Sequence, residues 1–477
     1  MNESERRPRS GGMQGGEGAT SESYRDTSQR GATEPTQQTG GSRPPARGPL
    51  LFKDIDTPGL ARLDTYRSIG GYSTLGTVLG QKSPAECIEI MKDSGLRGRG
   101  GAGFPTGLKW SFVPKGNEKP KYVVCNADES EPGTFKDREL LSKNPHSLIE
   151  GMLLAGWSIG ANTGYVYLRG EFAWLQRILD RALAEAYAAG ILGENAAGSG
   201  FRFDVYTHLG AGAYICGEET ALLSSLEGQR GQPKLKPPFP AVEGLYRCPT
   251  VVNNVETLVN VPHILGCGAA WYRQWGTEKS TGTKVFSVSG PVRRPGNYEL
   301  PLGTPLRTLL EQHAGGMRDG MKVKAVIPGG SSVPPLSAEQ LDAPLDFESM
   351  NAAGTFLGSG GVIVIDDGTC MVDSLWNLVR FYAHESCGKC TPCREGTSWM
   401  AQILERIERG RGRMSDLDLL GDLAGNILGR SFCPLGDAAA MPVQGFLQRF
   451  RPEFEHHVKH GACLANRRRA SRAGATA

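Results

Sequence analysis

The stretch Ser386-Cys-Gly-Lys-Cys-Thr-Pro-Cys393 holds three cysteines, each separated from the next by two residues. A fourth cysteine, Cys433, follows after 39 intervening residues, with Pro434 directly behind it. Three thiolates at this spacing can bind three corners of an iron–sulfur cube, and in ferredoxin-type sites the fourth cysteine is often followed by proline. The sequence therefore predicts a [4Fe–4S] cluster near the end of the chain, bound by Cys387, Cys390, Cys393 and Cys433.

Zinc and disulfides are the alternatives for these cysteines. Zinc sites usually contain two separated Cys-x-x-Cys pairs, whereas this chain has a triplet and a distant single cysteine. Disulfides fit poorly with an odd total of 11 cysteines and with the lack of a secretory signal. The seven other cysteines have no ligand spacing and are interpreted as small buried hydrophobic residues: Cys87, Cys125, Cys216, Cys248, Cys267, Cys370 and Cys463.

The composition excludes some classes of function. The chain has 477 residues, which is room for roughly two to four domains, and a net charge of +3. Residues 1–48 carry +1 and the arginines after residue 466 carry +4, so residues 49–466 carry −2. A body this close to neutral lacks the electrostatic footprint of a nucleic-acid-binding protein. No apolar run approaches the roughly 18 residues of a membrane-spanning helix, which predicts a soluble, cytoplasmic protein.

Both ends of the chain are predicted to be disordered. Residues 1–48 are rich in Gly, Ser, Thr, Gln, Arg and Pro and contain almost no apolar residues. Such a segment cannot bury enough surface to offset the entropy lost on ordering. A docking tail that folds on a partner is the alternative. Residues 466–477 form a second tail, which is basic.

A glycine-rich loop follows a predicted helix, Pro84–Asp93. It has six glycines from Gly95 to Gly107, with Arg97, Arg99 and Lys109 among or beside them. Glycines let backbone N–H groups approach an anion closely, and the basic side chains add positive charge. The loop also matches G-x-G-x-x-G, but a dinucleotide motif of that kind should follow a strand rather than a helix. The loop predicts a phosphate-bearing ligand; a mobile surface loop is the alternative.

A short β-rich run, Tyr122–Cys125, ends in an acidic turn with Asp128, Glu129 and Glu131. Open α/β sheets bind their ligands at the carboxyl ends of their strands. Carboxylates beside a basic phosphate loop are expected to face ribose hydroxyls or ring nitrogens. A solvated acidic turn is the alternative.

Predicted strands and helices alternate between Ser147 and Leu226, as in a parallel sheet covered by helices. The helices are 148–159, 172–188 and 218–226, and the strands are 165–168 and 201–206. A second glycine-rich turn, Gly210–Gly217, opens the last helix. Glu218 and Glu219 at its start are favoured by the helix dipole, whatever else they do.

Two further regions complete the predicted organisation. Residues 275–368 are expected to form a small, β-grasp-like α+β domain that serves as a spacer or contact surface, with strands 284–289, 296–300, 324–327 and 361–365 and a helix at 304–312. Residues 369–465 are expected to form a four-helix bundle with the cluster at one end, from helices 372–383, 400–407, 417–428 and 443–450. Ser415 and Asp418 are interpreted as a capping box for the third helix.

Four motifs that occur in one order give the chain a family resemblance. They are Arg97-Gly-Arg-Gly-Gly-Ala-Gly-Phe-Pro-Thr-Gly-Leu-Lys-Trp, Cys125-Asn-Ala-Asp-Glu-Ser-Glu-Pro-Gly-Thr, Gly212-Ala-Tyr-Ile-Cys-Gly-Glu-Glu-Thr and the Ser386–Cys393 stretch. Together they resemble the FMN-binding flavoprotein subunit of respiratory complex I, the F subunit of NADH-quinone oxidoreductases, over roughly residues 50–465.

The resemblance implies a fold and a reaction. Residues 49–274 are expected to form a Rossmann-like FMN- and NADH-binding α/β domain with an N-terminal lead-in, and residues 275–368 an SLBB-type, ubiquitin-like domain. The implied function is the NADH dehydrogenase subunit of a proton-pumping NADH:quinone oxidoreductase. Non-covalent FMN takes hydride directly from NADH in this family and passes single electrons to the [4Fe–4S] cluster, so no side chain is expected to act as acid or base.

The resemblance also implies the residues that bind the two nucleotides. FMN is expected to contact Gly98, Gly100, Gly101, Lys109, Asn126, Asp128, Gly217, Glu218, Asn253 and Asn254. NADH is expected to contact Phe104, Phe112, Glu131, Tyr214, Glu219, Lys236 and Phe239. Glu219 is expected to select NADH, because a carboxylate accepts hydrogen bonds from ribose hydroxyls and repels the 2′-phosphate of NADPH.

The implied partners are a thioredoxin-like [2Fe–2S] subunit and a larger multi-cluster iron–sulfur subunit. The complex would hold the chain on the cytoplasmic face of the cell membrane, as a peripheral protein. A diaphorase subunit of an NAD-linked hydrogenase or formate dehydrogenase is the alternative. Those relatives are often fused to extra cysteine-rich modules, whereas here no second cluster motif accompanies the Cys387–Cys433 set.

Overall fold

The computed structural model describes residues 48–116 and 118–465. Apart from Gly48, both predicted disordered tails lie outside the described residues. No helix in the described part of the chain is long and apolar enough to cross a membrane.

The first sheet is parallel and has the strand order β3-β2-β1-β4. Its strands are β1 (Tyr122–Ala127), β2 (Thr163–Leu168), β3 (Asp204–Leu209) and β4 (Thr250–Asn254). The chain passes outward from β1 through β2 to β3 and then returns to add β4 on the opposite side of β1. A sheet whose strand order reverses in this way has a crevice at the carboxyl ends of the two strands beside the reversal. Such sheets bind their ligands in this crevice.

The predicted strand–helix alternation is confirmed, with one strand misplaced. The aromatic run at 201–206 predicts a strand, but β3 begins at Asp204 and continues to Leu209. Phe203 instead exchanges two backbone hydrogen bonds with Gly193, of 2.9 and 3.0 Å. Phe203 therefore pairs in an isolated bridge outside the sheet, although its high β-propensity predicts a place in the strand.

Helices precede, connect and follow these strands. They are α1 (Leu63–Ser68), α2 (Ser73–Gln81), α3 (Pro84–Asp93), α4 (Thr106–Ser111), α5 (Lys136–Lys143), α6 (Pro145–Ile159), α7 (Ala173–Ala188), α8 (Glu219–Leu226), α9 (Val255–Val259), α10 (Val261–Cys267) and α11 (Ala269–Tyr272). The predicted helix at 84–93 coincides with α3. Ser83 and Glu86 form a capping box at its start, and Pro84 is its first residue.

A buried carboxyl group fastens the lead-in helices to α6. Glu150 accepts hydrogen bonds from the Tyr66 hydroxyl (2.6 Å) and from the backbone N–H of Tyr72 (2.9 Å). Burial raises the pKa of the Glu150 carboxyl to about 7. Tyr66 belongs to α1 and Tyr72 directly precedes α2. The Glu150 side chain therefore holds both helices.

The two faces of the parallel sheet pack against different cores. Val123 and Cys125 on β1 belong to the core that includes the lead-in helices, whereas Val124 between them belongs to the core of the C-terminal helices. Alternating side chains on a strand point to opposite faces, and a parallel sheet is normally covered on both. The C-terminal helices therefore lie directly against the sheet.

The second sheet is mixed and has the strand order β6-β5-β9-β7-β8. Its strands are β5 (Thr283–Ser289), β6 (Gly296–Pro301), β7 (Val323–Ile327), β8 (Leu336–Ser337) and β9 (Gly361–Asp366). Two short helices accompany it, α12 (Leu306–Thr308), which continues as a π-helical turn to His313, and α13 (Phe347–Ala352). The predicted β5–β6 hairpin is confirmed, since these strands pair antiparallel.

Four helices form the C-terminal region, as predicted, and each is longer than its predicted apolar segment. They are α14 (Met371–Glu385), α15 (Thr391–Glu408), α16 (Met414–Ile427) and α17 (Pro434–His460). The predicted Ser415–Asp418 capping box is wrong. The helix begins one residue before Ser415, and Asp416 reaches back to the backbone N–H of Arg413 (2.8 Å). Asp418 instead pairs with Arg451 on α17 (2.8 Å).

Candidate functional site

The glycine-rich loop between α3 and α4 is a well-packed turn. Gly98 donates its backbone N–H to the carbonyl of Phe104 (2.9 Å), which closes the loop on itself. Gly101 has φ +143°, a conformation that favours glycine. A Cβ at Gly100 would lie 3.0 Å from the Cβ of Asn254, so the loop backbone lies directly against the end of β4.

The basic residues of this loop have different roles. Lys109 and Arg97 line the cleft beside the loop, and Arg97 also pairs with Glu348 at 2.6 Å. Arg99 is fully buried and donates hydrogen bonds to the Tyr272 hydroxyl (3.1 Å) and to the carbonyl of Thr281 (2.7 Å). The expectation that Arg99 adds charge for a phosphate is therefore wrong, because its guanidinium fastens the loop to the protein interior.

The three acidic residues after β1 all line the cleft, but their side chains have different partners. Asp128 lines the cleft, and its Oδ2 is buried without a hydrogen-bond partner among the described residues. Burial raises the pKa of the Asp128 carboxyl to about 7. Glu129 is buried and accepts from the backbone N–H of Asp137 (2.7 Å) and the Arg138 guanidinium (2.8 Å), which is a structural role.

Glu131 joins the acidic turn to the second glycine-rich turn and to the second sheet. Its carboxylate accepts from the Tyr214 hydroxyl (2.6 Å) and from the backbone N–H of Ser332 (2.8 Å). Both partners line the cleft. The region at 275–368 is therefore more than the spacer or contact surface that its sequence predicts. It supplies further cleft-lining residues, among them Phe347 and Phe356.

Asparagine side chains fix the strand ends on both sides of the reversal. Asn126, at the end of β1, pairs in register with Asn254 of β4 and donates to the Gly217 carbonyl at 2.8 Å. Asn253 accepts from the indole N–H of Trp110 (2.9 Å). Asn254 caps α9 through a hydrogen bond from the backbone N–H of Glu256 (3.0 Å). The crevice predicted by the strand order is thus framed by short amide side chains.

Glu218 and Glu219, although adjacent, do different things. Glu218 is the N-cap of α8, where it accepts from the backbone N–H groups of Thr220 (2.9 Å) and Ala221 (3.0 Å). Glu219 lies between two lysines, with Lys109 at 3.2 Å and Lys236 at 2.9 Å. Burial favours a high pKa for the Glu219 carboxyl, but the two ammonium groups outweigh it and hold the pKa below its usual range.

Aromatic rings stand exposed at the mouth of the cleft. Phe104, Phe112 and Phe239 are 42%, 47% and 56% exposed. The Phe104 and Phe112 ring centroids are 6.2 Å apart. Large apolar rings grouped at a cleft commonly mark a ligand-binding surface, and flat aromatic faces suit the stacking of another ring.

These features surround a single cleft of about 1190 Å³. All seventeen residues that the family resemblance implies for nucleotide binding line it: Gly98, Gly100, Gly101, Phe104, Lys109, Phe112, Asn126, Asp128, Glu131, Tyr214, Gly217, Glu218, Glu219, Lys236, Phe239, Asn253 and Asn254. The volume exceeds the usual range for one drug-sized ligand, so there is room for a flavin nucleotide and a second nucleotide together. The partnerless Asp128 oxygen and the closely packed glycine loop both fit a polar, phosphate-bearing ligand.

The four predicted cluster cysteines line a second, small pocket together: Cys387, Cys390, Cys393 and Cys433. They are free thiols, as are the other cysteines. The Ser386 hydroxyl lies 3.2 Å from the Cys393 sulfur. Gln232 holds the loop from outside by donating to the Cys387 carbonyl (3.1 Å). Four converging sulfur donors from two segments fit an iron–sulfur cluster.

The two pockets share a wall. Ile215, from the second glycine-rich turn, and Leu435, from the first turn of α17, line both the cleft and the cysteine pocket. Both side chains are buried. The cluster site is therefore one layer of apolar side chains from the nucleotide site.

The other seven cysteines only partly match their prediction. Cys87, Cys125, Cys216 and Cys463 are buried, whereas Cys248 and Cys370 are half-buried and Cys267 is exposed. The interpretation as buried hydrophobic residues is wrong for Cys267, which lies at the end of α10 where the helix gives way to Gly268. Cys370 and Cys463 form a group with a histidine that their sequence spacing did not reveal.

The nucleotide-sized cleft lies where the strand order of the parallel sheet reverses. A single layer of side chains separates it from four converging cysteines. This combination defines a nucleotide-dependent electron-transfer protein. The chain is 55% identical over 415 residues to the second F subunit of NADH-quinone oxidoreductase from Rhizobium meliloti, covering 87% of this chain and 99% of that protein. It is 56% identical over 415 residues to the F subunit of NADH-quinone oxidoreductase from Streptomyces coelicolor, covering 87% and 92%. The chain belongs to this family, the F subunits of NADH-quinone oxidoreductases.

Sequence patterns and a solved structure agree with this membership. Residues 91–263 match the Nuo51 FMN-binding domain, residues 284–364 the SLBB domain and residues 373–457 the NADH-ubiquinone oxidoreductase-F iron–sulfur binding region. A chain in the crystal structure of the air-oxidized NAD⁺-reducing [NiFe]-hydrogenase is similar at 39% identity with a TM-score of 0.75, covering 87% of this chain and 67% of that one.

Proposed function

We propose that this chain is the NADH-oxidising subunit of a proton-pumping NADH:quinone oxidoreductase. Its family, its FMN-binding and iron–sulfur regions and its two adjoining pockets support this function. The observation that carries the proposal is the shared wall, in which Ile215 and Leu435 face both sites. Electron transfer between two centres needs them close together and shielded from water, and a buried apolar wall meets both needs.

The residues of the inner cleft are proposed to bind FMN. They share the glycine loop, the two strand ends beside the reversal and the start of α8: Gly98, Gly100, Gly101, Lys109, Asn126, Asp128, Gly217, Glu218, Asn253 and Asn254. Glycine-loop backbone N–H groups and the Lys109 ammonium suit the phosphate. Asp128 offers a buried oxygen that a ligand hydrogen-bond donor would satisfy.

The residues toward the mouth are proposed to bind NADH: Phe104, Phe112, Glu131, Tyr214, Glu219, Lys236 and Phe239. The exposed phenylalanine rings offer stacking faces, and Glu219 offers a carboxylate to ribose hydroxyls. The 2.6 Å hydrogen bond from Tyr214 to Glu131 fixes both side chains at the edge of the site.

The protein's own groups bind, orient and insulate in this reaction. When bound, FMN accepts a hydride and gives up single electrons, which a [4Fe–4S] centre held by Cys387, Cys390, Cys393 and Cys433 can take. No side chain needs to act as an acid or base. The cleft orients the two rings, and the Ile215–Leu435 wall keeps water from the space between the sites.

The chain is proposed to contain three domains. Residues 49–274 are assigned as a Rossmann-like nucleotide-binding domain, 275–368 as an SLBB-type β-grasp domain and 369–465 as a four-helix bundle that carries the cluster. As one subunit of a complex, the chain is proposed to meet a thioredoxin-like [2Fe–2S] subunit and a larger multi-cluster subunit. Through them it would sit peripherally on the cytoplasmic face of the membrane.

A diaphorase subunit of an NAD-linked hydrogenase is the second candidate, and the structural similarity to the hydrogenase chain favours it. The coverage favours the quinone reductase. The chain spans 67% of the hydrogenase chain but 92–99% of the two NADH-quinone oxidoreductase relatives, at higher identity.

The test is the activity of the purified full-length chain. The proposal predicts bound flavin, a brown colour, iron and NADH-dependent reduction of ferricyanide. A nucleotide-sensing module would instead bind nucleotide tightly without turnover, and a zinc protein would contain zinc without flavin. Either result would contradict the proposed function.

A further inference from the structure

A second group of metal-binding side chains lies at the C-terminal end of the helical region. The Cys370, His457 and Cys463 ligand atoms all lie within 4.8 Å of one another. Among residues 48–116 and 118–465, no other group of three Cys, His, Asp or Glu side chains has its ligand atoms this close together. None of the three belongs to the nucleotide cleft or to the cluster pocket.

Three separate segments bring these side chains together. Cys370 is the N-cap of α14, and His457 lies in the last turns of α17. Gly461 ends α17 with φ +61°, and this left-handed residue turns the chain so that Cys463 becomes buried. The group therefore joins the start of the helical region to its end.

The distances suit a tetrahedral ion. The Cys370 sulfur lies 3.9 Å from His457 Nδ1. In a tetrahedral zinc site with bonds of about 2.0–2.3 Å, neighbouring ligand atoms lie roughly 3.3–3.8 Å apart. The Cys370 sulfur and His457 Nδ1 are within a few tenths of an ångström of that separation, and all three ligand atoms lie within 4.8 Å of one another.

Hydrogen bonds orient the ligand atoms of this group. His457 Nε2 lies 3.3 Å from the carbonyl of Glu408, so this nitrogen can carry the proton and leave Nδ1 free. The two sulfurs accept backbone N–H groups, Cys370 from Asp373 (3.5 Å) and Cys463 from Ala465 (3.2 Å).

An acidic side chain lies beside the open side of the group, outside the three-residue set. Glu408, the last residue of α15, has its Oε2 3.9 Å from the Cys370 sulfur and 3.7 Å from His457 Nε2. Its side chain is 22% exposed, whereas that of His457 is 3% exposed. The carboxylate thus stands between the buried ligands and solvent, which gives an ion a route of entry.

We propose that Cys370, Cys463 and His457 Nδ1 form a zinc site whose fourth position is taken by a solvent molecule. Two thiolates exclude the hard cations Mg²⁺ and Ca²⁺, and two sulfurs with one imidazole suit Zn²⁺. The ion would tie the end of α17 and the segment after it to the start of α14, at a site separate from the electron path.

The test compares metal contents of the full-length holoprotein and two double variants. The wild type is expected to contain about one zinc ion per chain beside its iron. Cys370→Ser/Cys463→Ser is expected to lose the zinc and keep iron and flavin, whereas the control Cys248→Ser/Cys267→Ser keeps all three. Zinc that persists in the first variant, or wild type that stays zinc-free after incubation with zinc sulfate, would overturn the site.

Zinc X-ray absorption on the wild type tests the ligands without relying on a variant that folds. The site predicts two sulfur neighbours at about 2.3 Å and two nitrogen or oxygen neighbours at about 2.0–2.2 Å. Four sulfur neighbours would place the zinc in the cluster pocket and overturn the proposal. A Cys370–Cys463 disulfide, found by mass spectrometry of the non-reduced protein, would overturn it as well.

Discussion

Ile215 and Leu435 each line both the nucleotide cleft and the cysteine pocket, so one pair of buried side chains separates the two sites. Ile215 belongs to the turn before α8 and Leu435 to the first turn of α17, two residues after Cys433. The same helix start that carries the fourth cysteine therefore also closes the cleft. The position of the cluster and the shape of the nucleotide site are coupled through this wall.

Truncating the wall is expected to damage both sites. Ile215→Ala should lower the free energy of unfolding by about 2–5 kcal/mol, whereas Ile215→Val should lower it by about 0.5–1.5 kcal/mol. The alanine variant should lose flavin and iron together, measured on the same purified sample. Loss of only one of them would show that the wall does not support both pockets.

Replacing the fourth cysteine is expected to separate the two centres. Cys433→Ser should lose the iron–sulfur cluster but keep part of the NADH–ferricyanide activity, because the nucleotide cleft does not depend on that sulfur. Cys267→Ser, at an exposed cysteine, is the matched control and should keep its iron. An unchanged iron content in Cys433→Ser would remove this residue from the ligand set.

Glu219 is expected to control the choice between NADH and NADPH. Its carboxylate pairs with Lys109 and Lys236, and Glu219→Gln removes the negative charge that repels a 2′-phosphate. With a charge interaction of about 1–4 kcal/mol, the NADPH/NADH ratio of kcat/KM should rise about fivefold or more.

The matched control for that substitution is Glu227→Gln. Glu227 follows α8 and pairs with Lys234 at 2.8 Å, outside the cleft. Its nucleotide preference should equal that of the wild type. An unaltered ratio in Glu219→Gln would refute the assignment of selectivity to this carboxylate.

The seventeen residues that the family resemblance implies all line one cleft, and their roles in nucleotide binding stay a prediction. Motif order could not predict contributions that only the tertiary fold creates. Ser332 and Phe347 lie in no recognisable motif and reach the cleft because the second sheet packs against the acidic turn. Arg99 stands in the glycine loop like Lys109, but its side chain turns inward to Tyr272.

Local signals failed in the same way elsewhere. The Ser415–Asp418 spacing is typical of a capping box, but Asp418 pairs with Arg451 and the helix starts earlier. Cys370 and Cys463 are 93 residues apart in the sequence, and only the return of the chain after α17 brings them together. Cys433 could be assigned across a long gap because a Cys triplet lacked its fourth ligand, whereas Cys370 and Cys463 have no such motif beside them.

The buried Glu150 carboxyl is expected to make stability depend on pH. Its folded-state pKa of about 7 is raised above that of an unfolded glutamate, so its favourable contribution is complete at low pH. That contribution is lost as the pH rises from about 4 to about 7, at a cost of about 1–3 kcal/mol. Glu150→Gln cannot ionise, so its melting temperature relative to wild type should rise between pH 5 and pH 8.

Glu89→Gln is the control for this effect. Glu89 is an exposed residue paired with Lys92 at the surface. Its difference in melting temperature from wild type should stay constant over the same pH range. A constant difference for Glu150→Gln too would show that Glu150 does not retain its proton in the folded protein.

Electrons are proposed to pass from NADH in the cleft to the cluster behind the Ile215–Leu435 wall, and the function of the chain depends on this step. The direct measurement is an anaerobic EPR spectrum of the purified chain before and after the addition of NADH, with dithionite as the reference reductant. NADH alone is expected to produce the signal of a reduced [4Fe–4S] cluster. A cluster signal that dithionite produces and NADH does not would contradict this path.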